Sequence, residues 1–72
     1  MTPAQLRAAR ALLALPRPEL AKSAVVPLVL IADYEIGVPG LRPEDLAAIQ
    51  KTLEEAGVEF VGPGVRLRKE RK

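Results

Sequence analysis

The sequence contains no cysteine, no histidine and no tryptophan, and only one residue each of methionine, tyrosine and phenylalanine among its 72. Without cysteine there is no disulfide framework, no thiolate nucleophile and no Cys-rich zinc site. Without histidine the usual base and metal ligand at neutral pH is missing as well. Enzymatic activity, a cofactor and a bound metal are therefore not expected. Long apolar runs are absent too. The longest uncharged stretch, Ser23 to Ala32, is interrupted by Pro27 and is about ten residues long, half of the roughly 20 needed to cross a bilayer. The amino terminus lacks a basic segment followed by an apolar signal core. A soluble cytoplasmic protein with no membrane contact is the expectation.

Apolar residues make up 49% of the chain and aromatic ones 3%, so the core must be built of Leu, Ile, Val and Ala, a composition that favours helices packed on helices. A chain this short gains from a homodimer or partner interface. The net charge of +2 conceals a segregation. In residues 1–26, Arg7, Arg10, Arg17 and Lys22 stand against Glu19 alone. In residues 27–56, Arg42 and Lys51 stand against Asp33, Glu35, Glu44, Asp45, Glu54 and Glu55. The end is basic again, with Arg66, Arg68, Lys69, Arg71 and Lys72 against Glu59 and Glu70.

Proline marks helix starts, because the first turn leaves its missing amide unpaired anyway. Thr2 and Pro3 open a helix over about 3–15, with Leu6, Ala9 and Leu13 on one face. Pro16 and Pro18 open a second, about 17–24, whose Leu20 and Ala21 can face the first. Pro27 opens a third over about 27–35, with Ile31 and Tyr34 three apart and Gly37 as its stop. Pro43, Glu44 and Asp45 open a fourth, about 43–56, where acids suit the positive end of the helix dipole. Leu46, Ile49, Leu53 and Ala56 form its buried stripe. Past Gly57 the period becomes two: Val58, Phe60, Val65 and Leu67 point inward, Glu59, Arg66 and Arg68 outward, around a Gly62-Pro63-Gly64 turn. This predicts a hairpin over about 58–68, packed on the helices or paired with a second chain. Residues 1–69 form one domain and 69–72 a basic tail, read either as a solvated end or as an arm for phosphates.

The run Glu19-Leu20-Ala21, then Ala24, Val26, Ile31, Glu35 and Gly37, resembles the phage-repressor or Xre-type helix-turn-helix family. The opening Met1 to Leu13, the helix from Leu46 to Phe60 and the closing Gly62 to Lys69 are similar to a short bacterial subgroup of it. The resemblance implies a mainly α, lambda-repressor-like four-helix domain with a C-terminal hairpin and a role in transcription regulation. It also implies that Glu35 fixes the turn after the third helix. In such a unit the second helix lies against phosphates and the third inserts its first residues into the major groove. Here Arg17 and Lys22 would face the phosphates, and Leu28, Val29 and Asp33 would stand at the reading positions.

Those positions depart from the family's pattern. Pro16 stands where members carry a hydroxyl or amide residue, Arg17 where they carry Gln, and Pro27 to Leu30 where they show Ser or Thr followed by polar or basic residues. Leu28, Val29 and Leu30 offer no hydrogen bond to a base edge, and Asp33 has the wrong sign for phosphate. Six successive positions, Val25 to Leu30, interrupted only by Pro27, cannot all face inward in so thin a bundle. If Ile31 and Tyr34 are the buried ones, Leu28 and Val29 are exposed, as a protein contact or as weak apolar contact with thymine methyls; the alternative is a shifted core that takes the stretch inward. Three readings remain open: a regulator that binds DNA weakly or atypically, a degenerate helix-turn-helix that pairs with itself or a partner regulator through Pro27, Leu28, Val29 and Leu30, or an accessory subunit of a toxin-antitoxin or phage control pair.

Other groups are bland. Glu44 with Asp45 and Glu54 with Glu55 are adjacent pairs that diverge by about 100 degrees on a helix, so neither converges on one ion. Lys51 and Glu55, at i,i+4, suit a surface pair. Gly62-Pro63-Gly64 lacks the Lys-Ser/Thr ending of a phosphate loop.

Overall fold

A computed structural model describes residues 1–68. The fold is mainly helical: α1 (Pro3–Leu13), α2 (Arg17–Ala24), α3 (Leu28–Glu35) and α4 (Pro43–Glu55) precede an antiparallel hairpin of β1 (Val58–Val61) and β2 (Gly64–Leu67). The basic tail, 69–72, lies outside the described residues. No helix among those described is long and apolar enough to cross a membrane.

Each helix boundary has a local cause. The Thr2 hydroxyl accepts the Gln5 amide at 3.1 Å while Gln5 Oε1 accepts the Thr2 amide at 2.9 Å, which pairs two donors that the first turn would leave open. α1 stops at Leu13 rather than at Leu15. Ala14 takes a left-handed conformation, φ 50, and Leu15 precedes a proline, which disfavours helical backbone. Pro16 and Pro27 sit one residue before their helices, so Pro27 is the cap of α3 and not its first residue. At α4 the carboxylate of Asp45 reaches back to the Arg42 amide at 3.1 Å, a closer use of that acid than the dipole argument requires.

The core joins Leu6 and Ala9 of α1, Leu20, Ala21 and Ala24 of α2, Val26 of the connecting turn, Ile31 of α3, Ile49 and Leu53 of α4, and Val58 of β1. Two positions expected inside are not. Ala56 is exposed, because α4 has ended and the next buried position falls to Val58. Leu67, opposite Val58 in the ladder, is half exposed: α4 packs on β1 and α1 on β2, and Leu67 ends β2 far from the turn that α1 holds. Leu46 is half-buried.

Gln5 supplies that hold. Its Nε2 donates to the carbonyls of Gly62 and Gly64 at 3.0 and 3.1 Å, so the hairpin is bound to α1 within the chain. Gly62, at φ 56, provides the positive φ that a two-residue hairpin turn needs.

Candidate functional site

α2, the three-residue turn Val25-Val26-Pro27 and α3 form a continuous helix, turn and helix. Glu35, the last residue of α3, sets its placement. The carboxylate is only 1% exposed. Arg10 of α1 grips it through Nε at 2.6 Å and Nη2 at 3.0 Å, and Arg17 of α2 through Nε at 2.8 Å. Arg10 also donates to the Leu15 carbonyl at 3.1 Å, and Arg7 donates to the backbone carbonyl of Glu35. Burial pushes the Glu35 carboxyl upward, but the hydrogen bonds and charges of Arg10 and Arg17 outweigh it and hold the group below the usual carboxylate range. Instead of bracing the turn after α3, this acid ties α3 to α1 and α2. Its partners lie 25 and 18 residues away in sequence, where no local spacing signals them.

The network alters the role of the basic residues. Arg17, expected at a phosphate, turns its Nε inward to Glu35 and leaves its two terminal nitrogens on a side chain 44% exposed. Arg7 and Arg10 also point their donors at Glu35 and its surroundings. Lys22 is exposed on α2 and makes no ion pair among the described residues. The first turn of α2 is a poor anion site, since Pro18 carries no amide to donate, whereas α3 begins after Pro27 and keeps the amides of its first turn.

On α3, Leu28 and Val29 are exposed, 44% and 62%, as expected with Ile31 buried. Asp33 is half-buried, one turn beyond Val29, and its side chain has no hydrogen-bonded or ionic partner among the described residues. Leu30 is different: it is half-buried, and its Cδ2 lies 3.0 Å from where a Cβ on Gly40 would stand. It packs under the segment after α3 and does not belong to the outward patch.

Three more exposed apolar side chains lie near Leu28 and Val29 in the sequence: Val25 at 86%, Ile36 at 74% and Val38 at 43%. Val29, Ala32 and Ile36 follow the i, i+3, i+7 spacing of one helix face, so the signal for Ile36 lay in the sequence. Taking Gly37 as the sole end mark hid it. Val25 was legible only as part of an apolar run. In the structure it closes α2 with φ 58 and ψ 53, a left-handed conformation that a β-branched residue rarely adopts.

Elsewhere the surface offers little chemistry. An open groove of about 420 Å³ beside β1 is lined by Glu54, Val58, Glu59, Phe60, Val61 and Arg68. Its polar groups are engaged: Glu59 with Arg66 at 2.8 Å, Glu54 with Gln50 at 3.1 Å, and Arg68 with the Glu54 carbonyl. Glu54 thus pairs with Gln50, while Lys51 and Glu55 form no ion pair among the described residues. Among those residues no group of three or more acids gathers as a metal site. Comparison with known proteins finds no family model that matches the chain and no curated protein similar to it.

Proposed function

We propose that this chain is a regulator-like helix-turn-helix domain in which the outer side of α3, the side that such scaffolds turn to DNA, serves as a protein-docking face. The observation that carries the reading is the apolar surface formed by Val25, Leu28, Val29 and Ile36, where base reading would need donors and acceptors. A contiguous apolar patch rimmed by polar residues marks an interaction site more often than a reading surface. The internal use of Arg7, Arg10 and Arg17 supports the same view, because it commits donors of all three to Glu35, whose single carboxylate offsets one of their charges, instead of to phosphates.

A second reading, weak DNA binding through the backbone, is favoured by one feature: Lys22 on α2 is exposed and unpaired among the described residues. Titration of a random-sequence duplex at low and at physiological salt separates the two. On the docking reading, retention is feeble, falls steeply with salt as phosphate contacts do, and is not weakened by Val29→Lys, whose added charge can only strengthen it. Sequence-selective binding that Val29→Lys or Asp33→Ala abolishes would make α3 a base reader after all.

A further inference from the structure

We infer that the occupant of the α3 face is a second copy of this chain, docked about a two-fold axis with α3 antiparallel to α3 and Lys22 of each copy beside Asp33 of the other. The inference rests on the protein-docking reading above and names its partner.

Size is the first support. Val25, Leu28, Val29, Ile36 and Val38 are between 43% and 86% exposed, which leaves roughly 400–500 Å² of apolar surface on α3 and the segments that immediately flank it. A standard interface covers about 800 Å² per partner, somewhat more than half of it apolar. The patch therefore fills the apolar share of one such interface without help from the rest of the surface.

Charge is the second. Between Leu28 and Ile36 the charged residues are Asp33 and Glu35, and Glu35 is buried against arginines. Asp33 is thus the single acid of the exposed face. The nearest base on the preceding helix is Lys22, one turn before Val25. Lys22 is exposed in the last turn of α2, and Asp33 lies in the middle of α3. In a two-fold interface residue i meets j while j meets i. Antiparallel apposition near Val29 brings the Asp33 level of one copy to the α2 end of the other, so both opposite-charge pairs form at once. A parallel arrangement would set Asp33 against Asp33.

Val25 is the third. Its left-handed backbone disfavours a β-branched residue, and 86% of it lies in solvent, so neither local conformation nor the core accounts for valine there. Contact with another molecule does.

The experiment is sedimentation equilibrium of the full chain, with circular dichroism to confirm folding; Lys22 and Val29 are exposed, so substitution there spares the core. Wild type is expected as a dimer, and Val29→Lys should raise the dissociation constant about tenfold or more. Lys22→Asp and Asp33→Lys should each weaken association several-fold. An equimolar mixture of these two variants should form a heterodimer, because each supplies the charge that the other lacks. A monomeric wild type, or a dimer indifferent to Val29→Lys, overturns the inference, and a mixture that fails to pair overturns the antiparallel geometry. The DNA titration of wild type and Val29→Lys tells the two failures apart: a monomer whose α3 face does not touch DNA loses only the second copy as partner, whereas a monomer that binds DNA through Val29 loses the docking reading with it.

Discussion

The junction at Glu35 and the outer face of α3 belong to the same helix and treat polarity in opposite ways. At the junction a carboxylate is buried, yet both of its oxygens are occupied by arginines from two other helices. Among the described residues no buried side-chain polar atom lacks a partner. On the outer face, aliphatic side chains stand in water with nothing covering them, and one holds its backbone in an unfavourable region. The first region is a closed account of hydrogen bonds. The second has no such internal partners, and the docking proposal rests on that difference.

That contrast makes substitutions inside and outside differ in kind. Glu35→Ala should have the largest effect, about 3 kcal/mol of lost stability, since removing one partner of a buried pair leaves the other charges uncompensated; half exposure of Arg17 keeps it at the low end of the usual range. For a chain of this size the melting temperature falls by roughly 10–20 °C. A loss within a degree or two would mean that the arginines find water easily and that the junction is no more closed than the surface.

Acid should reproduce part of this. The folded carboxyl of Glu35 lies below its unfolded value, so its contribution is complete above the ordinary carboxylate range and disappears as pH falls through the lowered folded value. Asp45, held down by its hydrogen bonds with Arg42, contributes with the same sign. Denaturant midpoints followed downward from neutral pH should decline in wild type and decline less in Glu35→Ala. Parallel curves would remove Glu35 from the acid response.

Gln5→Ala ranks next, at about 1–2 kcal/mol, because it deletes half of the α1 capping box and both hydrogen bonds to the hairpin turn. Amide exchange should rise in β1 and β2 more than in α4. Val25→Gly should act in the opposite direction. Relief of the left-handed valine outweighs the extra freedom of glycine when unfolded, for a gain of up to about 1 kcal/mol. A stabilised fold with weakened self-association would place that valine firmly on the side of function. The smallest change belongs to Val29→Ser, which should leave monomer stability within about 0.5 kcal/mol, as exposed positions do.

What the sequence revealed follows the range of the interactions involved. Helix starts were legible because Thr2, Pro16, Pro27 and Pro43 act on their immediate neighbours. Counting apolar positions against one helix face showed that some of Val25 to Leu30 must be exposed, and the burial of Ile31 selects Leu28 and Val29 among them. The end of α1 was misplaced because the effect of Pro16 reaches back onto Leu15. The partners of Glu35, the reach of Gln5 across 57 and 59 residues, and the withdrawal of Leu30 beneath Gly40 depend on how the helices cross, which no local pattern encodes.

One consequence of the Gln5 side chain concerns the two extremities of the domain. A single carboxamide clasps the first helical turn and the final β-turn together, so each is a condition for the other. Trimming the chain back to Pro3 takes away the Thr2 groups that orient this amide, and should loosen a hairpin some sixty positions downstream before it unwinds the helix beside the cut.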